Sequence, residues 1–299
     1  VSDLPSHADP EASPAWEPPA LRVLASGSAG NCSVLEAGPA GDRRLCLIDA
    51  GLSPRKTRRL LEEMGRSLDQ VEDVVVTHLD HDHFHAGWAT ALPGRALLRL
   101  HRRHLGRAER SGLLHRRTEP FDCAPGGSFH VQGLDAAFSP MLASHDSLGV
   151  AAFRIEFAAL GSSLGFATDV GRVPVRLIEH LAGVDVLAIE SNYCPDMQAS
   201  SGRPEYLKRR IMDGSGHLSN QQCLDAVHEI RPREHVVLLH LSRQCNRPEL
   251  VAELHAGADY ALTISTQDQP TRWVKLPFRA SVNTTAAARF EPVQRGLFA

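Results

Sequence analysis

The chain has 299 residues, a formal net charge of −3, 16 histidines and six cysteines. That length can bury a substantial core as one α/β domain, and no window reaches the roughly 18 consecutive apolar residues that a membrane span requires. The N-terminus shows no basic-then-apolar secretory pattern. Cys32, Cys46, Cys123, Cys194, Cys223 and Cys245 form no Cys-x-x-Cys pair, so the expectation is a cytoplasmic protein with free thiols, without a disulfide framework or structural zinc cluster. A near-neutral balance argues neither for nor against nucleic acid, because phosphate binding depends on where the charges sit.

Residues 1–20 are rich in Pro, Ala, Ser and acids without a period and read as a disordered tail, with order beginning near Leu21. Leu21–Leu24 and Cys32–Glu36 read as strands of a hairpin around the turn Ser26–Asn31. That turn is glycine-rich enough to cradle a phosphate but lacks the Walker lysine and the dinucleotide spacing, so turn chemistry is the favoured reading. Leu45–Gly51 is a buried strand ending in Asp49, and Ser53-Pro54 opens a helix whose Leu60, Leu61 and Met64 share a face.

Val74-Val75-Val76 then runs as a strand into Thr77-His78-Leu79-Asp80-His81-Asp82-His83-Phe84-His85. Imidazoles and carboxylates are ligands for zinc, iron or manganese, and a strand end followed by a loop can hold several at bonding distance. Residues 95–117 carry eight arginines interleaved with His101, His104 and His115. This segment is either a phosphate-binding face or a solvated helix, and no aromatic residues interleave to stack bases.

Phe129–Phe138 and Val150–Phe157 read as strands flanking His145 in a loop. Leu164–Gly171 places Asp169 at a strand end, Val184–Asn192 places Glu190 and Asn192 there, and Val236–Ser242 places His240 there. Gly216-His217-Leu218-Ser219 precedes a helix to about Ile230 with Ser219 as N-cap. Ala261–Ile264 and Arg272–Leu276 read as a closing hairpin, and residues 281–299 as a loose tail. The expected domain therefore spans 21–280. Recurrent delivery of a ligand-type side chain at a strand end is what a site along one sandwich edge needs.

The segment from His78 resembles the His-x-His-x-Asp-His motif of the metallo-β-lactamase superfamily, with His78, Asp82 and His83 on three of its four ligand positions and Asp80 on the second. A register starting at His81 leaves Ala86 where the last histidine is needed. Within the superfamily the chain looks most like the YycJ/WalJ-type, nuclease-like branch, through Ala25–Asn31, Leu47–Ser53, Ala167–Gly171, Glu190–Asn192, Gly216–Asn220 and His240–Ser242. The resemblance implies a four-layer αββα sandwich and a metal-dependent phosphodiesterase or exonuclease on nucleic acid, working through a metal-bridging hydroxide. It implies two divalent metal ions of zinc, manganese or iron. His78, Asp80 and His145 would bind one ion and Asp82, His83 and His240 the other, with Asp169 bridging. Flavodiiron relatives carry Glu at the second motif position, so Asp80 moves the expected metal from zinc towards iron or manganese.

Asp49 would lie behind the metals and orient a ligand, with His81 also supporting. His217 is the candidate general acid or phosphate ligand, positioned by Glu190 and Asn192, although it also suits a plain helix start. Two other readings stay open: a small-molecule hydrolase of the same fold acting on a lactone, thioester or cyclic phosphodiester, and a non-hydrolytic diiron or metal-binding protein. The first needs a closed apolar pocket, a nuclease an open positive groove.

Overall fold

The computed structural model describes residues 16–123, 126–214 and 216–279. The chain runs β1 (Trp16–Ala25), β2 (Cys32–Pro39), β3 (Arg44–Ile48), α1 (Pro54–Glu62), β4 (Val71–Val76), α2 (Trp88–Ala91), β5 (Leu97–His101), α3 (Leu105–Arg110) and β6 (Thr118–Phe121). It continues through β7 (Phe129–Val131), β8 (Ala136–Ala143), β9 (Val150–Phe157), β10 (Ser162–Ala167), α4 (Val175–Leu181), β11 (Val186–Glu190), α5 (Pro195–Ser200) and α6 (Glu205–Met212). The last elements are α7 (Asn220–Ile230), β12 (His235–Leu239), α8 (Pro248–Leu254), β13 (Ala261–Ile264) and β14 (Val274–Lys275).

Two seven-stranded sheets form, in the orders β14-β1-β2-β3-β4-β5-β6 and β13-β12-β11-β10-β9-β8-β7. In each, the pairings are antiparallel across one half (β14 to β3, β7 to β10) and parallel across the other (β3 to β6, β10 to β13). Side chains alternate faces along a strand. Cys46 and Ile48 of β3, Val186 and Ala188 of β11, and Val237 and Leu239 of β12 therefore enter a core between the sheets with Phe138, Phe153 and Phe166. Leu45 and Leu47 turn outward to meet Leu60 and Leu61 of α1 and Trp88. Leu187, Ile189, Val236 and Leu238 turn the other way, onto Leu177 and Leu181 of α4 and Val227 and Ile230 of α7. Three apolar layers separate four layers of structure, the αββα sandwich, and strands buried on both faces explain the unbroken apolar runs in the sequence.

Four expectations need correction. β1 begins at Trp16, so residues 16–20 belong to a strand and not to a tail; residues 1–15 and 281–299 lie outside the described residues. Phe129–Phe138 is two strands, broken by a turn at 132–134 that ends with Asp135 at φ 50°. Residues 95–117 are not one helix but β5, a 3-10 turn and α3. Finally, β13 and β14 are no hairpin: β13 pairs in parallel with β12 in one sheet and β14 antiparallel with β1 in the other. Each closes an edge that would otherwise expose its backbone groups.

Candidate metal centre

The carboxyl ends of β3, β4, β10, β11 and β12 face one edge of the sandwich, where parallel α/β sheets place their ligand sites. Asp49 follows β3, Thr77 and His78 follow β4, Asp169 lies two residues beyond β10, Glu190 ends β11 and His240 follows β12. Asp49, Asp169 and His240 all have left-handed backbones, at φ 60°, 53° and 57°. For a residue with a Cβ this costs about 1–2 kcal/mol, and such strain gathers where a site dictates side-chain direction.

The loop after β4 is fastened to the residues after β3. The Ala50 N–H donates to the His83 carbonyl at 2.8 Å and the His85 N–H to the Ala50 carbonyl at 2.8 Å. Gly51 sits so close to this loop that a Cβ there would collide with the Asp82 carbonyl oxygen. Buried Asp49 accepts hydrogen bonds from the Thr77 N–H at 2.8 Å, from Thr77 Oγ1 at 2.9 Å and from His83 Nδ1 at 2.7 Å. A carboxylate only accepts, so the proton of neutral His83 sits on Nδ1 and Nε2 presents its lone pair. Thr77 Oγ1, its hydrogen given to Asp49, accepts in turn from His78 Nδ1 at 3.0 Å and fixes that ring the same way.

Around the exposed lone pairs the remaining groups converge. His83 Nε2 is 3.1 Å from Asp169 Oδ2, and His78 Nε2 is 3.6 Å from the same oxygen. His240 Nδ1 lies 2.8 Å from Asp169 Oδ1 and its Nε2 3.6 Å from Asp82 Oδ2. Asp80 Oδ2 is 3.8 Å from both His78 Nε2 and His145 Nε2. Ligand atoms of Asp82, His83, Asp169 and His240 fall within 4.8 Å of one another, as do those of His78, His145 and Asp169. His78 Nε2 and His240 Nε2 are buried with no hydrogen-bond partner. Leaving such a nitrogen unsatisfied costs about 1–3 kcal/mol, which a cation would relieve. The donors, nitrogen and carboxylate oxygen without thiolate, fit a divalent zinc, iron or manganese ion.

The electrostatics agree with a cation site. Burial, with His83 alongside, pushes the His78 imidazolium well below its usual range. Burial opposes ionisation of Asp169, yet His240 and His83 hold its carboxyl well below normal. His83 and His240 resist the lowering effect of burial because Asp169 faces both, and each is pushed well above normal.

A second arrangement adjoins the first. Fully buried Glu190 accepts from His217 Nδ1 at 2.7 Å and stands 3.1 Å from His240 Nδ1. Its carboxyl is held below the ordinary value against the effect of burial, chiefly by His217. His217 lines a cleft of about 400 Å³ with Asp80, Asp82, His145, Asp169 and His240. Asn192 lines it too: its Nδ2 donates to the His240 carbonyl at 2.8 Å, bracing that strand end, and its N–H donates to the carbonyl of Leu218, next to His217, at 3.0 Å. The loop turns His81 outward, its side chain 92% exposed, and it reaches the site only through Asp82, 3.8 Å from its Nδ1.

Several contributors escaped the sequence reading. Asn31, in the turn read only as a turn, brings Nδ2 to 3.0 Å from His83 Nε2, and Ser26 Oγ in the same turn accepts from the His240 N–H at 2.8 Å. Arg107, in the segment read as either a phosphate-binding face or a solvated helix, donates to Asp80 Oδ1 at 2.9 Å and lies 3.5 Å from Asp146. The strand-end pattern that marked Asp169 and His240 carries no trace of these long-range contacts.

Fold and site together define a metallo-β-lactamase-type protein. The family model described as Beta-lactamase superfamily domain matches residues 44–241, and the chain belongs to that superfamily. Among characterised relatives, the chain is 28% identical over 265 residues to "Exodeoxyribonuclease WalJ" of Streptococcus pneumoniae serotype 2 (83% of this chain, 95% of that one). It is also 28% identical over 239 residues to "Exodeoxyribonuclease YycJ" of Bacillus anthracis (76% and 84%). The metallo-β-lactamase fold protein YhfI from Bacillus subtilis superimposes with a TM-score of 0.60 at 14% identity, over 84% of this chain and 99% of that one.

Proposed function

We propose that the chain is a metal-dependent phosphodiesterase acting on nucleic acid, in the manner of an exonuclease, and that residues 16–279 work as one catalytic unit. The observation that carries the metal requirement is the pair of buried, unpartnered imidazole nitrogens of His78 and His240 among carboxylates. Similarity to two relatives named as exodeoxyribonucleases supports the substrate class. In this reading His78, Asp80 and His145 would hold one divalent ion and Asp82, His83 and His240 a second, with Asp169 belonging to both groups of ligands. Such ions supply positive charge for phosphoryl oxygens and acidify a water towards neutrality.

The chain's own residues do the rest. Asp49 and Thr77 lock the tautomers of His83 and His78, so that each Nε2 lone pair points into the site. Glu190 accepts a hydrogen bond from His217 Nδ1–H and leaves Nε2 as the free ring nitrogen of a cleft-lining residue; in the imidazolium form that Nε2–H can pass its proton to the leaving oxygen. Asn192 and Ser26 hold His240 through its main chain.

The test is turnover of a generic phosphodiester, single- and double-stranded DNA, RNA and an aryl lactone with manganese, iron and zinc. The expected result is metal-dependent phosphodiester cleavage that drops to the metal-free level in His83→Ala. Turnover of the lactone alone would overturn the proposal.

A further inference from the structure

One wall of the cleft is formed by Arg203, Leu207, Arg210 and Ile211, and it carries an arginine with no part in the chemistry described above. Arg203, in the 201–204 connection, lines the cleft with Asp169 and His217. Its Nε donates to Gln244 Oε1 at 3.0 Å, its Nη1 to Gln198 Oε1 at 3.1 Å and its Nη2 to Ser242 Oγ at 3.3 Å. These partners are neutral. The guanidinium is thus fixed without being discharged, and of its five N–H donors two remain, one on each terminal nitrogen. Gln198 is fully buried and turns its oxygen to Arg203 while its own Nε2 has no partner, an arrangement that serves the arginine and not the amide. Leu207 and Ile211 anchor the segment on Tyr193 and Cys245, and Ser242 stands two residues from His240, so the charge is held in register with the proposed metal ligands.

Several arginines of the 95–117 segment are held the opposite way. Arg99 meets Asp73 at 2.9 Å and Glu119 at 2.6 Å, Arg102 meets Asp122 at 3.0 Å and Arg107 meets Asp80 at 2.9 Å. Carboxylates cancel those charges close at hand. A guanidinium ordered by neutral groups keeps its field and has its ordering cost met before the ligand arrives, and the paired donors of its fork suit two phosphate oxygens.

Resting on the phosphodiesterase reading above, we propose that Arg203 is a substrate-phosphate receptor, binding a backbone or terminal phosphate next to the one attacked. The cleft is thereby selective for an oligonucleotide over a diester that has a single phosphate. Arg210 of α6, which also lines the cleft, adds a second positive charge on the same wall.

The test compares wild type, Arg203→Gln and Arg203→Lys. Three quantities are read: the Kd and salt dependence for a short single-stranded phosphorothioate oligonucleotide, the ratio of kcat/KM on an oligonucleotide to kcat/KM on bis(p-nitrophenyl) phosphate, and metal content with Tm. In Arg203→Gln the Kd should rise roughly tenfold or more, as for loss of a charged hydrogen bond, and the slope of log K against log salt should fall by about 0.7. The ratio should drop at least as far, with metal content unchanged, and Arg203→Lys should recover part of the affinity. An unchanged Kd and ratio would overturn the proposal. So would equal losses on both substrates with a lowered Tm in both variants, the mark of a mere brace. Wild type that cleaves neither substrate with any metal would instead refute the phosphodiesterase reading, while the binding arm would still judge Arg203.

Discussion

Gly51→Ala puts one methyl group against the loop that carries the histidines. Gly51 passes between Asn31, whose carbonyl accepts from the Gly51 N–H at 2.8 Å, and Asp82, whose carbonyl accepts from the Asn31 N–H at 2.6 Å. The added Cβ would fall inside contact distance of the Asp82 carbonyl and 2.8 Å from the Asn31 nitrogen, both backbone atoms with no rotamer to relax into. The loop must yield by on the order of 1 Å, a displacement that costs about 10²-fold where geometry matters. Overpacking of this kind destabilises by about 1–3 kcal/mol, or roughly 2–10 °C in Tm for a domain of this size. The assay is thermal denaturation with and without divalent metal, alongside metal content by mass spectrometry. The expected outcome is a lowered Tm, a shrunken Tm gain on adding metal, and substoichiometric metal. A variant with wild-type Tm and full metal would show that the loop is not pinned at Gly51.

Asp49→Asn keeps the shape but places an amide where His83 Nδ1 and Thr77 donate, and metal affinity measured by calorimetry should fall about 10–100-fold. Because Arg102 already pairs with Asp122, Arg102→Gln should leave the salt slope of oligonucleotide binding unchanged, and a slope reduced by a full contact would restore the arginine-rich segment as the phosphate track. Chelator-treated protein should lose stability as the pH rises above about 6.5. His83 and His240 titrate above their unfolded values, so their contribution is complete below the unfolded pKa and disappears as pH climbs through the folded one. Above about pH 7.5 His78, lowered by burial, is neutral in both states and does not oppose the trend. Melts in chelator at about pH 7.5 and about pH 9 check this; a Tm that rises with pH would contradict the assigned charges.

Much of this protein was legible without coordinates because the governing signals are local. Two-sided burial writes a parallel strand as an apolar run, and the strand-then-ligand pattern at Asp49, His78, Asp169, Glu190 and His240 marks the edge where side chains converge. The capping box at Ser219 and the proline opening at Pro54 set helix starts through contacts within one turn. What the sequence could not determine are pairings between residues distant in the chain. Whether 261–276 folds back as a hairpin or splits between two sheets depends on which edges are vacant. Whether an arginine is cancelled or left charged depends on partners as remote as Asp80 for Arg107 or Gln244 for Arg203. The left-handed turns at Asp49, Asp169 and His240 are bought by packing around them and not by residue preference, so only the assembled fold decided that these side chains face one another.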